Sequence, residues 1–362
     1  MCLPAHGSNP QYLFNALHLA KPNHVIDFSV NVNPYGMPRL IEKQWSQFLT
    51  YVRDYPDPHS FALKEAVAQK ESIEKDNILI GNGAAELVFL LANRFREQDV
   101  LIIDPTFSEY HTACTAHGCR VHSVVLKEDN DWQISLDDIV PQLEGKVALF
   151  LCSPNNPTGV RYDKDILLSL IKAAFKQKVI VVIDEAFYDF CLDPYTLVPY
   201  VQTYPNLVIL RSFTKMFAIA GIRLGWIAAD PTFISELSTF QPHWSVNAIA
   251  EQVGLLCIHE DAFVKQTSEQ VARERKRVVS ELKQLDFVIS NSETNYYILR
   301  ETKKQSMKPL LRFLLNEGLT ARHTENFAGL DGNYLRFAIR TKAENDRLIT
   351  VLKRWRQQCS FL

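Results

Sequence analysis

Two ionisable side chains follow apolar runs that have the length and composition of buried strands. Asp184 comes directly after residues 179–183, and Lys215 lies five residues beyond the run 207–210. A carboxylate at the end of a buried strand is costly to bury unless a cation faces it. A lysine in such a place loses part of its hydration, which lowers its pKa and makes the amine nucleophilic near neutral pH. The two positions therefore predict a site that combines a buried acid with a nucleophilic amine.

The neighbouring residues supply groups that bind phosphate. Ser212, Thr214 and Arg223 bring two hydroxyls and a guanidinium, and residues 81–86 (GNGAAE) read as a glycine turn that opens a helix. The backbone N–H groups and the dipole at a helix start attract anions. Pyridoxal 5'-phosphate needs a set of phosphate-binding groups, a nucleophilic lysine and a buried acid, and this sequence has all three. The ring nitrogen of the cofactor would be the cation that faces Asp184. No P-loop motif occurs, and no G-x-G-x-x-G follows a strand.

The elements that carry these residues repeat one pattern between about residues 77 and 230. Short apolar runs alternate with turns and amphipathic helical segments; the runs are 78–80, 100–103, 121–126, 147–152, 179–183, 207–210 and 224–228. Continuously apolar strands that alternate with helices predict a mostly parallel sheet covered on both faces, in an α/β/α arrangement of layers. Ligands of such sheets bind beyond the carboxyl ends of the strands, where Asp184 and Lys215 are expected.

The pattern changes after about residue 247. A long, highly charged helical segment is predicted over 261–285, and beyond it short strands and helices mix as in a small α+β unit. The first 45 residues contain several prolines and little periodicity, which predicts an irregular arm packed on the rest of the molecule. We therefore expect a cofactor-binding large domain over 46–246, and a discontinuous small α+β domain made of 1–45, with the N-terminal arm, and 247–362.

Composition excludes several classes of function. The 362 residues carry 39 Lys and Arg against 41 Asp and Glu, a formal net charge of -2, so no overall field favours nucleic acid or an anionic membrane. No apolar stretch approaches the ~20 residues that cross a bilayer, and the first residues do not read as a signal peptide. The seven cysteines are scattered, without a C-x-x-C pair or a cluster at zinc spacing. We expect a cytoplasmic protein without a metal site.

Three motifs resemble those of the fold-type I aminotransferases. They are residues 153–159 (SPNNPTG), 184–187 (DEAF), and 212–215 (SFTK) followed by 220–225 (AGIRLG). Within that group the chain is most similar to the histidinol-phosphate aminotransferase branch, and more closely to the threonine-phosphate decarboxylases of cobalamin biosynthesis. The closer likeness is carried by residues 5–8 (AHGS), 27–34 (DFSVNVNP) and 326–340 (NFAGLDGNYLRFAIR).

The resemblance implies roles for the residues that hold the cofactor. Lys215 would form the Schiff base, Asp184 would pair with the ring nitrogen, Asn156 would donate toward the 3' oxygen, and Tyr110 would stack on the ring. The cofactor phosphate would be held by Ala84, Ala85, Ser212, Thr214 and Arg223. Tyr55 would reach the cofactor phosphate of a neighbouring subunit, which implies a homodimer with shared sites.

The resemblance also implies a substrate that carries both phosphate and carboxylate. Arg336 occupies the position of an arginine that grips the substrate carboxylate in related aminotransferases, and Arg322 and Arg340 add positive charge nearby. Arg336 and Arg340 would share one face of a regular strand. Guanidinium groups bind phosphate in bidentate fashion, which suits a phosphorylated amino acid. The remaining substrate contacts implied by the resemblance are His6, Gly7, Asn31 and Asn156.

Substrate orientation decides the reaction, because the bond at Cα that lies perpendicular to the cofactor ring is the one that breaks. The resemblance favours decarboxylation of L-threonine O-3-phosphate to (R)-1-aminopropan-2-ol O-phosphate, with Lys215 as the proton donor to Cα. L-serine phosphate differs by one methyl group, worth only ~1–3 kcal/mol of discrimination, so it stays open as a substrate. Transamination of the histidinol-phosphate type also stays open, as does a non-catalytic regulator that binds the cofactor.

Overall fold

The computed structural model describes residues 3–303 and 305–359. The helices in this part of the chain are Pro10–Ala16 (α1), Arg39–Gln44 (α2), Phe61–Glu71 (α3), Gly83–Arg94 (α4), Glu109–Ala116 (α5), Leu136–Ile139 (α6), Lys164–Lys176 (α7), Pro231–Ser238 (α8), Ala248–Cys257 (α9), Asp261–Lys283 (α10), Lys308–Asn316 (α11) and Lys342–Cys359 (α12). The strands are Ile26–Asp27 (β1), Ile78–Gly81 (β2), Asp99–Asp104 (β3), Arg120–Val125 (β4), Ala148–Cys152 (β5), Ile180–Asp184 (β6), Leu207–Ser212 (β7), Gly225–Ala228 (β8), Val288–Ile289 (β9), Tyr296–Arg300 (β10), Leu319–Thr320 (β11), Arg322–His323 (β12) and Leu335–Ala338 (β13).

The apolar runs between residues 78 and 228 form one seven-stranded sheet. Its strands lie in the order β2-β8-β7-β6-β5-β3-β4. β8 pairs antiparallel with both β2 and β7, whereas the pairs from β7 to β4 are parallel. The mostly parallel sheet that the sequence predicts is confirmed.

Both faces of this sheet are buried along six of its strands, whereas the edge strand β4 is partly exposed. Side chains alternate between the faces along each strand. Leu101 and Leu149 pack into one apolar cluster, while Val100 and Phe150 pack into a second cluster on the opposite face. The α/β/α layers of the predicted fold class are therefore present.

The C-terminal strands form a smaller antiparallel sheet in the order β12-β13-β10-β9. The N-terminal segment joins this region, because β1 pairs in parallel with β11, Ile26 beside Leu319. Residues 3–45 are less irregular than predicted, since they contain α1, α2 and β1. The boundaries drawn at 45/46 and 246/247 stay a prediction.

Three further findings concern the described residues alone. No helix in them has the length and apolar character needed to cross a membrane. No group of three or more His, Cys, Asp and Glu side chains in them is placed to hold a metal ion. The cysteines whose side chains are described, Cys114, Cys119, Cys152, Cys191 and Cys257, are unpaired; Cys2 and the side chain of Cys359 lie outside the described part.

Candidate active site

A cavity of about 440 Å³ opens beyond the carboxyl ends of the central strands. Asp184 is the last residue of β6, and Cys152, its register partner, is the last residue of β5. Ser212 ends the next strand, β7. The predicted site residues that line this cavity are His6, Gly7, Asn31, Ala84, Ala85, Asn156, Asp184, Ser212, Thr214, Lys215, Arg223, Arg322 and Arg336.

Asp184 is buried at the floor of the cavity and held by two hydrogen bonds. The Tyr110 hydroxyl donates to Oδ2 at 2.6 Å, and the Ala186 backbone N–H donates to Oδ1 at 2.8 Å. Burial raises the pKa of Asp184 above its ordinary value, while both hydrogen bonds and the charge of Lys215 oppose that rise. The two hydrogen bonds hold the carboxylate in one orientation, in which it can pair with a cation in the cavity.

Lys215 lies on the loop that follows β7 and is partly buried. Burial lowers the pKa of its amine to about 8, and the positive charges of Arg223 and Arg336 contribute to the lowering. About a tenth of a lysine with such a pKa is neutral at pH 7, compared with a negligible fraction of an exposed lysine. The amine can therefore act as a nucleophile and, in its protonated form, as an acid.

A turn whose free N–H groups can bind phosphate lies at the start of α4. Ala84 and Ala85 are in its first turn, where backbone N–H groups have no partner within the helix. Across from them, the hydroxyls of Ser212 and Thr214 lie 2.8 Å apart, and the Arg223 guanidinium donates to the Ala220 carbonyl. These N–H, O–H and guanidinium donors surround one end of the cavity and form an anion site.

Gly83 allows this turn to approach Arg223 closely. Its φ is +80°, in the region that favours glycine, and a Cβ there would lie 2.6 Å from Arg223 Nη2. Arg223 itself has a φ of +63°. The left-handed backbone on both sides therefore places the guanidinium against the helix start, where it can share an anion with the backbone N–H groups.

Two arginines on adjacent strands form the opposite wall. Arg322 of β12 and Arg336 of β13 are register partners. Burial lowers the pKa of Arg322 to about 9 and that of Arg336 to about 10, and neither forms an ion pair with a carboxylate among the described residues. Arg336 donates to the Asn156 side chain and the Ser29 carbonyl, and its Nε has no partner among those residues. The pair places two positive charges where an anionic substrate group can bind.

His6, Gly7 and Asn31, the remaining residues predicted to contact substrate, also line the cavity. The Asn31 side chain is buried, and its Oδ1 has no hydrogen-bond partner in the described part of the chain. His6 Nε2 lies 2.8 Å from Oε1 of Glu109. A Cβ on Gly7 would lie 2.4 Å from the Ser29 carbonyl oxygen, so only glycine fits there without a backbone shift.

Three predicted site residues do not line the cavity. The Tyr110 ring stacks on Phe150 in the core and reaches the site only through its hydroxyl on Asp184. Arg340 lies beyond the end of β13, so it does not share a regular strand face with Arg336; it pairs instead with Glu344 at 2.7 Å. Tyr55 is 84% exposed and packs beside Trp244.

Phe107 lines the cavity and was not among the predicted residues. It belongs to the segment 105–110 (PTFSEY) that follows β3, so the same strand-end rule that selected Asp184 would have found it. Phe107 precedes α5, whereas Tyr110 lies within its first turn. In this segment the ring available to a bound cofactor is that of Phe107, and the predicted stacking of Tyr110 does not fit the structure.

The site fits pyridoxal 5'-phosphate. One end of the cavity collects phosphate donors, the buried carboxylate of Asp184 faces a space that needs a cation, and the amine of Lys215 has a lowered pKa. The residues that can hold the cofactor are Ala84, Ala85, Asn156, Asp184, Ser212, Thr214, Lys215 and Arg223.

Comparisons with known proteins agree with this chemistry. Residues 23–352 match the family model "Aminotransferase class I and II". A threonine-phosphate decarboxylase from Salmonella typhimurium is 32% identical over 354 residues, 96% of each chain. The crystal structure of the histidinol-phosphate aminotransferase from Clostridium acetobutylicum superposes with a TM-score of 0.87 at 29% identity, covering 92% of this chain and 100% of that one.

A second solved structure is that of L-threonine-O-3-phosphate decarboxylase from Porphyromonas gingivalis. It superposes with a TM-score of 0.82 at 26% identity and covers 91% of this chain and 99% of that one. Decarboxylases and aminotransferases thus both stand among the relatives. The chain belongs to the aminotransferase class I and II family and is a pyridoxal 5'-phosphate-dependent enzyme.

Proposed function

We propose that this enzyme decarboxylates L-threonine O-3-phosphate to (R)-1-aminopropan-2-ol O-phosphate. The observation that carries the proposal is the pair of buried arginines, Arg322 and Arg336, which face the cavity without a carboxylate partner among the described residues. A substrate with both a phosphate and a carboxylate matches two such charges. The likeness to the Salmonella typhimurium threonine-phosphate decarboxylase extends over nearly the whole chain.

In the proposed site, each cofactor contact comes from a residue at a strand end or a helix start. Asp184 would pair with the ring nitrogen, Asn156 would donate toward the 3' oxygen, and Lys215 would bond to the cofactor. Phe107 would contact its ring. Ala84, Ala85, Ser212, Thr214 and Arg223 would hold its phosphate. When bound, the cofactor supplies an electron sink for the pair left on Cα as a bond to that carbon breaks.

The protein's own groups select which bond breaks. We assign Arg322 and Arg336, with His6, Gly7 and Asn31, to the substrate's anionic groups. By binding the phosphate, these residues would leave the carboxylate free to depart as carbon dioxide, with the electron pair of the broken C–C bond left on Cα. The Lys215 ammonium then donates a proton to Cα at the position that carbon dioxide has left. The buried Asp184 carboxylate keeps its negative charge through the reaction and stabilises positive charge opposite it.

A homodimer is part of the proposal. Tyr55 is far too exposed for a residue that serves a site in its own chain. Its ring packs beside the exposed Trp244, and Leu49 and Val52, a few residues earlier in the chain, are exposed as well. Exposed apolar patches mark interaction sites. We propose that a second copy of the chain covers these side chains and receives Tyr55 at its cofactor phosphate.

Transamination is the second function, favoured by the close superposition on the Clostridium acetobutylicum enzyme. The experiment that separates the two incubates purified enzyme with threonine phosphate, with and without 2-oxoglutarate, and measures carbon dioxide and glutamate. We expect carbon dioxide in equal amounts under both conditions. Glutamate formation without carbon dioxide would establish transamination instead.

The same assay with serine phosphate measures how well the substrate methyl group is recognised. A pocket contact with one methyl group would favour threonine phosphate by roughly 10- to 100-fold in kcat/KM. Lys215→Ala is the control for both substrates, and it should release no carbon dioxide above background.

A further inference from the structure

The N-terminal arm, residues 3–8, is anchored to the small sheet by its backbone carbonyl groups. His323 Nε2 donates to the Pro4 carbonyl at 2.8 Å. Arg322 and Asn326 both donate to the Ala5 carbonyl. Side chains that belong to the β12 region therefore hold one edge of the arm, and one of them, Arg322, also lines the cavity.

The other edge of the arm reaches α5 through a hydrogen bond. His6 Nε2 lies 2.8 Å from Glu109 Oε1, and the His6 ring lies beside Phe107 with centroids 6.3 Å apart. The Glu109 side chain is 16% exposed, whereas that of His6 is 52% exposed. The half-exposed imidazole is thus held by a largely buried carboxylate at the first residue of α5.

Between its two edges the arm packs closely on the cavity. The Ser8 backbone N–H donates to Ser29 Oγ, and Gly7 lies against the Ser29 carbonyl. His6, Gly7 and Ser8 all line the cavity. The arm therefore forms a strap from the small sheet to α5 across the substrate end of the site.

We propose that Glu109 is a positioning residue that holds this strap closed through His6 and thereby sets the affinity for the phosphorylated substrate. The inference rests on the proposed function, in which His6 and Gly7 contact the substrate. A carboxylate only accepts hydrogen bonds, so Glu109 fixes which imidazole nitrogen carries hydrogen as well as the orientation of the ring. Without Glu109, the half-exposed imidazole has no other hydrogen-bonding side chain among the described residues to keep it at the cavity.

The position of Glu109 separates this role from cofactor binding. The next residue, Tyr110, donates to Asp184 from the same helical turn. Removal of the Glu109 carboxylate leaves the backbone of α5 and the Tyr110 hydroxyl in place. We therefore expect the absorbance of bound cofactor to be unchanged in a Glu109 variant, while substrate affinity falls.

The test compares Glu109→Ala, Glu109→Gln, His6→Ala and the double variant His6→Ala/Glu109→Ala in the holoenzyme. We expect Glu109→Ala to raise KM for threonine phosphate about tenfold, with a smaller change in kcat, because one charge-assisted hydrogen bond is lost. Glu109→Gln keeps an acceptor oxygen and should restore most of the affinity. The double variant should be no worse than His6→Ala alone, since Glu109 acts through His6.

Hydrogen exchange supplies a readout that is independent of turnover. The amides of residues 5–8 should exchange faster in Glu109→Ala than in the wild type, because the strap opens more often. Glu236→Ala is the matched control: it removes an ion pair of the same 2.8 Å length, to Arg94, outside the cavity. It should leave both KM and the exchange of the arm unchanged.

Two outcomes would overturn the proposal: an unchanged KM and arm exchange in Glu109→Ala, or independent, additive effects of the His6 and Glu109 substitutions. The proposed function is tested separately: it is wrong if the wild-type enzyme releases no carbon dioxide from threonine phosphate. In that case the KM comparison is made with the phosphorylated amino donor that the wild type does use, and the exchange measurement still tests the strap.

Discussion

The sequence predicted that Asp184 is a buried acid, but it did not predict which groups hold its carboxylate. Because it follows a buried strand, Asp184 was predicted to be a buried carboxylate, which is costly unless a cation faces it. The structure adds two donors, the Tyr110 hydroxyl and the Ala186 N–H, that hold the carboxylate in one orientation. The sequence predicted Tyr110 as the ring at the cavity, whereas Phe107 lines it, because the chain turns from β3 into α5 between these two residues.

Lys215 gives a prediction about pH. Its amine has a pKa of about 8, lowered from the ordinary lysine value by burial, so the neutral form rises from about a tenth at pH 7 to about nine-tenths at pH 9. The rate at which the apoenzyme captures pyridoxal phosphate covalently should increase across this range and level off above it. Stopped-flow absorbance at constant ionic strength measures the rate. A midpoint near that of an exposed lysine, about 10, would show that Lys215 is not desolvated.

Arg336 and Arg340 give a second prediction at this scale. Arg336 lines the cavity, whereas Arg340 pairs with Glu344 outside it. Arg336→Ala should raise KM for threonine phosphate by roughly 10- to 100-fold, because a charged donor to the substrate is lost. Arg340→Ala serves as the control and should change KM by less than about twofold. Steady-state kinetics on both variants measures the difference, and equal effects would contradict the assignment.

At the scale of elements, the strands were easier to predict than the N-terminal segment. The seven apolar runs correspond to the seven strands of the large sheet. The central parallel strands were the clearest of them, because strands buried on both faces need continuous apolar sequence. The prolines of the first 45 residues suggested irregular chain. Two of them instead mark helix starts: Pro10 is the first residue of α1, and Pro38 directly precedes α2. Proline fits the first turn of a helix, where its missing N–H has no partner to lose.

The turn into α4 gives a prediction for an element. Gly83→Ala places a Cβ at a φ of +80° and 2.6 Å from Arg223 Nη2, so both the turn and the guanidinium must move. We expect the dissociation constant for pyridoxal phosphate to rise at least about tenfold, together with a loss of roughly 1–2 kcal/mol in stability.

Gly221→Ala is the matched control for this turn. Gly221 has no positive φ, and a Cβ there would meet no atom of the described residues within 4 Å. Cofactor titration followed by absorbance, with thermal unfolding of the same samples, measures both effects. Equal behaviour of the two variants would show that the close approach of Gly83 to Arg223 does not matter for cofactor binding.

At the scale of the whole molecule, the site is assembled from segments that are remote in sequence. His6, Asp184, Lys215 and Arg336 meet at one cavity only after the large sheet has formed and the N-terminal segment has paired with β11. Motif resemblance could select these residues one by one. It could not predict that the arm bridges the small sheet and α5, because that contact depends on how both regions pack.

The exposed side chain of Tyr55 gives a prediction about assembly. If two copies share their sites, a mixture of Tyr55→Phe and Lys215→Ala variants should regain activity that neither has alone, because the mixed dimer contains one intact site. Co-expression followed by activity measurement and sedimentation analysis tests this. A monomer in solution, or a mixture no more active than its components, would argue against shared sites.

Release of carbon dioxide from the substrate carboxyl group is the most direct test of the proposed reaction. Threonine phosphate labelled with ¹³C at the carboxyl carbon is incubated with the holoenzyme in D₂O, and the products are followed by NMR. Decarboxylation with proton return from Lys215 predicts that the label leaves as carbon dioxide and that the aminopropanol phosphate carries one deuterium on the carbon that bears nitrogen. Retention of the label in a keto acid, with glutamate formed from added 2-oxoglutarate, would contradict it.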